Sequence, residues 1–304
     1  MKPGSVAAIF VWLSSGCLGV VADTALLTPS ADTAVLENFP TNNFGGQTWL
    51  NAGTTQNFTR NRGLLRFDVS GSLPAHARIR AVSLTVDVVR SPVDGDTPST
   101  FDLHRMLIDW GEGRQHGDPP VLGAPAQAGE CNWTHRFAQT TETWAEPGGK
   151  AGVDFAAQSS ADTFVYGVNF SPYVFDSTSN LVADVQLWQR QPEQNFGWML
   201  KTRREEDNFS ARRFASREDA FRAPQLAIEY ELPRLDEVTV RDGSVEVRFY
   251  LEPGESAELE VCDELEAEAS WHPIAAVPVT TNVTYVLVAD GPPRHSRFYR
   301  LRVR

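Results

Sequence analysis

Residues 81–89 settle most of what this chain can fold into, because Val82, Leu84, Val86 and Val88 alternate with Ser83, Thr85 and Asp87. A strict period of two places one set of side chains on each face of a strand, one buried and one wet. Comparable β-branched or aromatic runs occupy 64–69, 101–107, 163–169, 197–201, 225–230, 238–240, 245–250 and 285–288. Turn-forming residues separate them: Gly45-Gly46, Ser91-Pro92, Asp94-Gly95, Pro119-Pro120, Pro147-Gly148-Gly149, Asp242-Gly243 and Gly291-Pro292-Pro293. A helical period is clearest over 181–189, where Leu181, Val185 and Trp188 share a face. Many short punctuated strands with little helix predict an all-β chain, a jelly-roll β-sandwich followed by a small fibronectin- or Ig-like β-sandwich. A parallel α/β enzyme fold is excluded by the same pattern.

The 304 residues suffice for two cores. The run 225–230 closes the first unit and Pro233 cannot continue a central strand, so the expected division is 23–232 and 233–304. About 70 residues then remain, the size of a seven-strand sandwich of the fibronectin type. Ahead of both, Lys2, an apolar run at 6–13 and the small residues before Asp23 predict a cleaved export leader over 1–22. That apolar run is too short to span a bilayer, so no membrane insertion is expected. Export would leave Cys131 and Cys262, one in each unit, and the simplest expectation is two isolated buried thiols. A net charge of −12 lacks the Lys/Arg excess that phosphate neutralisation needs, which argues against nucleic acid and anionic membranes as partners.

Five segments in order carry a resemblance. They are Asp32-Thr33-Ala34-Val35 with Asn42-Asn43-Phe44-Gly45; residues 63–70 with Leu73-Pro74 and 81–86; Asp109-Trp110-Gly111-Glu112-Gly113; Trp133 through Trp144 to Pro147-Gly148-Gly149; and Asn195-Phe196-Gly197-Trp198 with residues 213–218 and Pro224-Gln225-Leu226. Across 23–231 the chain resembles the DNRLRE domain family, which overlaps a carbohydrate-binding module family appended to alginate lyases. The tail, with Ser270-Trp271 and Arg297-Phe298-Tyr299-Arg300-Leu301, resembles a small β-module that closes exported verrucomicrobial proteins. The resemblance implies a secreted jelly roll beside carbohydrate chemistry, usually without catalytic residues of its own; the tail is expected to be a spacer or a sandwich for cell-surface docking. Neither expected unit of this sequence reads as a lyase or hydrolase catalytic domain, a departure from the lyase-appendage pattern.

The residues themselves supply a case for a polysaccharide partner. The chain holds eight Trp, and a flat indole packs against the C–H face of a sugar. Trp110 and Trp198 are expected in the core, whereas Trp133 and Trp144, in the Gly/Pro-rich middle region, are candidate ligand platforms. Arg203, Arg204, Arg212 and Arg213 form a second constellation, since guanidinium forks bind carboxylate and sulfate bidentately. The competing reading is a solvated hairpin whose Glu205, Glu206, Asp207 and Glu218 neutralise the same arginines. No cofactor is required; a structural calcium held by Asp32, Asn43 and Asp102 is the candidate metal site.

Three function classes follow. The first is a secreted, non-catalytic polysaccharide-binding module for uronate or sulfated glycans. The second is a purely structural surface protein with no sugar ligand. The third is a β-sandwich lyase, for which His104, His135, Tyr166 and Arg105 are the available acid, base and uronate-neutralising groups.

Overall fold

The computed structural model describes residues 22–304 apart from 75, 94, 96, 118–121, 233–234, 242–243, 252–253, 263–269, 280–283, 290–297 and 304, with backbone alone at 235–238, 240–241, 244–245 and 284–289. The expected leader lies outside the described residues up to position 21. So do Asp94, Pro119-Pro120, the boundary residues Pro233 and Arg234, the turns Asp242-Gly243 and Gly291-Pro292-Pro293, and Arg297.

The chain runs through β1 (Asp23–Leu27), β2 (Ala31–Leu36), β3 (Asn42–Asn43), β4 (Trp49–Thr54), β5 (Arg60–Arg66), a helical turn α1 (Val69–Ser72), β6 (Arg78–Val86), β7 (Val88–Arg90), β8 (Ser99–Arg105), β9 (Ala124–Pro125), β10 (Ala161–Val165), β11 (Tyr173–Phe175), helix α2 (Ser179–Arg190), β12 (Trp198–Thr202), β13 (Arg212–Ala215) and β14 (Gln225–Glu231). It continues as β15 (Leu235–Arg241), β16 (Ser244–Tyr250), β17 (Ala257–Cys262), β18 (His272–Val277), β19 (Thr284–Ala289) and β20 (Phe298–Val303). The fold is an all-β sandwich.

In the first part a four-stranded sheet, β1-β14-β6-β11, faces a larger one ordered β10-β8-β12-β5-β4-β13-β7, with β2 also paired to β5. Leu84, Leu226 and Ile228 from the smaller sheet meet Leu65, Phe101, Leu103, Leu200 and Phe214 from the larger one, all fully buried. Burying each such side chain stabilises the fold by about 1.5–3 kcal/mol. Helix α2 closes one end of this core with Leu181, Val185 and Trp188, the face that the periodicity predicts. Thr178 caps it, its Oγ1 accepting from the Leu181 N–H at 3.0 Å.

Periodicity misplaces some strand ends, for visible reasons. The run 81–89 breaks at Asp87, where the chain leaves the smaller sheet (β6 on β14) and joins the larger (β7 on β13). Such corners are where strands change sheets in a sandwich. The run 64–69 is strand only to Arg66, because Asp68 accepts from the Gly71 N–H at 3.0 Å and starts α1. Past Val165 the run 163–169 becomes a turn rather than strand.

A second core lies on the outer face of the larger sheet. Leu64 and Met199 point away from their neighbours Leu65 and Leu200, as alternation requires, and pack with Val35 and Met106 against Trp110, Cys131, Trp133, Trp144 and Phe155. The described residues of the middle region, 107–117 and 122–160, poor in regular structure, thereby form a packed cover. Arg62 pins it: Nη1 donates to the carbonyls of Gly148 and Gly149, both at 2.8 Å, while Nε and Nη2 grip Glu205 at 2.8 and 2.7 Å.

The tail strands form two three-stranded sheets, β15-β16-β19 and β18-β17-β20, around a separate core of Val247, Phe249, Leu251, Leu259, Val277 and Val303. Six strands are present there among the described residues, where the length suggests seven. Cys131 and Cys262 are free and buried.

Candidate functional site

The two candidate tryptophan platforms are interior. Trp133 and Trp144 are each 3% exposed. Arg60 and Arg62 lie over the Trp133 ring at 5.3 and 5.6 Å, and Gly148 approaches so closely that an added Cβ would sit 2.4 Å from Trp133 Cη2. The Trp144 Nε1–H donates to the Asn132 carbonyl at 2.8 Å. Neither indole has a face left for a sugar, because the middle region folds onto the sheet and uses them as its own core. This corrects the expectation for both residues.

The four arginines have four separate fates. Arg203 is committed to Asp102 at 2.6 Å and Asp162 at 3.2 Å. Arg204 is exposed and faces Glu206 and Asp207, the local neutralisation that the competing reading foresees. Arg212 is 1% exposed and spends its guanidinium on backbone carbonyls, of Phe209 and Ala211 at 3.1 Å and of Thr97 and Tyr166 at 3.0 Å. They therefore form no single cluster; Arg213 opens onto a groove, and the buried Arg212 next to it belongs to the same wall.

The calcium trio does not converge either. Asp102 is bound to Arg203, on β8. Asn43 turns its amide Nδ2 to the carbonyls of Glu112 and Cys131 at 2.7 and 2.9 Å, and its Oδ1 accepts from the Gly45 N–H at 2.9 Å. Asp32 accepts from the Arg217 N–H at 2.7 Å. Burial pushes its carboxyl well above the usual range, with Glu218 and Glu112 adding to the shift. Among the described residues no group of three His, Cys, Asp or Glu is placed to hold a metal.

The groups available to a lyase are also apart. His104 and Arg105 are consecutive on β8 and point to opposite faces: His104 Nδ1 meets the Ala156 carbonyl at 2.9 Å, whereas Arg105 Nε pairs with the buried Asp184 at 2.9 Å. Burial holds the His104 imidazole below its usual range. His135 Nδ1 lies 2.8 Å from Thr134 Oγ1 in the middle region, and Tyr166 follows β10.

The groove that Arg213 opens onto has a volume of about 460 Å³ and is lined by Asn38, Asn51, Gln56, Asn61, Arg90 and Arg213 among others. Its geometry follows from strand register. Asn51 on β4 pairs with Arg213 on β13, and Arg213 pairs with Arg90 on β7. Side chains directly opposite on neighbouring strands share a face, so amide, guanidinium and guanidinium form one row. Trp49, two residues before Asn51 and on its face, supports the row, with the Arg213 guanidinium 4.7 Å from its ring centroid.

Like charges directly opposite on neighbouring strands destabilise a sheet. Here burial, and then the positive charge of Arg90, lower the Arg213 guanidinium from its ordinary range. Arginine nevertheless keeps its proton in proteins. Neither side chain is in an ion pair among the described residues. Two further oxygens of the lining, Asn61 Oδ1 and Ser91 Oγ, are buried without a hydrogen-bond partner among the described residues, a state that calls for an explanation in a folded protein. Sequence reasoning reached Arg213 but missed Arg90, Asn51 and Trp49, which come together only through pairings far apart in the chain.

Neither a family model nor a curated protein matches this chain. The resemblance to the DNRLRE family rests on the five segments alone. Among solved structures, a β-1,2-glucanase from Parabacteroides distasonis is similar with a TM-score of 0.18 and 10% identity, over 92% of this chain and 34% of that one. The chain thus spans about a third of that glucanase's length, and a superposition so loose carries no argument about function.

Proposed function

We propose that this is an exported, non-catalytic protein of DNRLRE type whose groove across β4, β13 and β7 binds an acidic polysaccharide, uronate-containing or sulfated, while the tail sandwich serves for docking at the cell surface. The observation that carries the reading is the pair Arg213 and Arg90, held in register with no carboxylate of their own among the described residues. Two guanidiniums side by side repel until an anion sits between them, and carboxylate and sulfate match their fork geometry. Asn38, Asn51, Gln56 and Asn61 surround the pair with amide donors and acceptors suited to hydroxyl groups. A protein of net charge −12 would repel a polyanion overall, so recognition has to be local, and its affinity falls as salt screens the contact.

Affinity electrophoresis of the whole protein through alginate, pectate, sulfated fucan and neutral glucan gels tests this. Retardation by the acidic polymers, weakened by salt, is the expected outcome. Arg90→Gln and Arg213→Gln should each lower affinity about tenfold or more, since a hydrogen bond to a charged group contributes about 1.5–3 kcal/mol. Arg90 is exposed, so its substitution separates lost binding from lost folding. Passage through every gel without retardation would favour the purely structural surface protein instead.

A further inference from the structure

Beyond the groove, the chain displays an aromatic ridge that the charge-based reading does not use. Phe164, Tyr166 and Phe170 are 47%, 51% and 66% exposed, and their rings touch in succession, with centroids 4.9 Å apart from Phe164 to Tyr166 and 5.3 Å from Tyr166 to Phe170. Val168 extends the patch. A contiguous exposed apolar surface of this kind marks a contact site in a soluble protein.

Three observations tie the ridge to the groove. First, a second depression of about 490 Å³ is lined by Tyr166, Asn169 and Phe170 and shares Arg90 and Ser91 with the groove, so the two adjoin across those residues. Second, the ridge is fixed in place. Tyr173 Oη accepts the N–H groups of Tyr166 and Gly167 at 3.1 and 2.8 Å and donates to the Gly167 carbonyl at 2.6 Å. Third, the buried Arg212, next to Arg213 on β13, ties the Tyr166 carbonyl to that strand at 3.0 Å. The aromatic rings are thus held at a set position relative to the paired guanidiniums, which is what a binding surface built on rigid elements needs.

We infer that the glycan of the groove continues across Arg90 and Ser91 and lays an apolar sugar face on Tyr166 and Phe170, making one extended site that reads charge at one end and ring faces at the other. The inference rests on the proposed function and narrows it to a polymer or long oligomer. Continuity with the groove commits the ridge to this occupant. A second copy of the chain, the other occupant for an apolar ridge, becomes an outcome of the test.

Calorimetry with alginate, pectate and sulfated-fucan oligomers of increasing length tests the inference on the whole protein, using the unaltered chain, Arg213→Gln, Tyr166→Ala, Phe170→Ala and Phe170→Trp. The unaltered chain should bind long oligomers more tightly than the shortest ones. Each alanine variant should lose about three- to tenfold for long oligomers, the worth of one aromatic contact, and nothing for the shortest, while Phe170→Trp retains affinity. Arg213→Gln should weaken both lengths alike. Alanine variants equal to the unaltered chain at every length, with Arg213→Gln weakened, would overturn the extension and leave the groove reading standing. Weakening confined to the alanine variants would overturn the groove reading and the two-part site together, as would an unaltered chain that binds no oligomer. A change in sedimentation of Phe170→Ala without a change in glycan affinity would assign the ridge to self-association and overturn the inference.

Discussion

Arg62 and Asp32 are buried charged residues with opposite consequences for stability. Arg62 joins Glu205 to the middle region through four hydrogen bonds. Burial pushes the Glu205 carboxyl up, but the hydrogen bonds and charge of Arg62, with Lys201, hold it below its ordinary range. The folded value lies under the unfolded one, so this contribution is present above the unfolded glutamate range and disappears as pH falls through the folded one. Arg62→Met should cost about 3 kcal/mol by leaving the buried Glu205 to Lys201 at 3.7 Å, read as a lower urea midpoint with unchanged slope. Asp32 has the reverse sign. Its folded value lies above the unfolded one, so stability is lost as pH rises from about pH 4 through the folded value. Asp32→Asn keeps an oxygen for the Arg217 N–H, and its melting temperature should gain on that of the unaltered chain as pH rises; a constant difference at all pH values would refute the assignment. Neither role was legible in the sequence, nor was the burial of Trp133. Side-chain type sets what a residue can do, but burial depends on what folds over it, and here that is an irregular segment without a period to read.

Elements were more legible than residues. Alternation over 81–86 and the helical face of 181–189 reappear as β6 and α2, because each buries one face against the same core and the pattern records that requirement. The ends escaped, since Asp87 and Asp68 terminate their strands through a sheet change and a helix cap, events that depend on partners elsewhere in the chain. The Arg213–Arg90 row escaped for the same reason: the register of β13 on β7 brings together residues that no local spacing relates. That register has a stability consequence that can be measured without any glycan. Arg90→Gln should stabilise the empty protein by about 0.2–1 kcal/mol, the size of a cross-strand charge effect, even as it weakens binding. A loss of stability would mean that Arg90 already has an attractive partner in the free protein.

At the scale of the whole molecule, an arginine of the first part reaches the tail. Arg78, at the start of β6, is 6% exposed. Its Nη2 donates to the Tyr250 carbonyl at 2.8 Å and pairs with Glu255 at 3.1 Å, and its guanidinium lies 4.8 Å from the Tyr250 ring centroid. Tyr250 ends β16 in the tail, whose apolar cluster shares no residue with the clusters of the first part. Separate cores unfold separately unless something couples them. Removing Arg78 takes away a hydrogen bond, an ion pair and a ring contact at once, a loss of about 1.5–3 kcal/mol of coupling. Calorimetry of Arg78→Ala should therefore resolve two thermal transitions, or widen their separation if the unaltered chain already shows two, with glycan affinity unchanged because the groove is built on β4, β13 and β7. A thermogram superimposable on that of the unaltered chain would show that the coupling runs through other contacts.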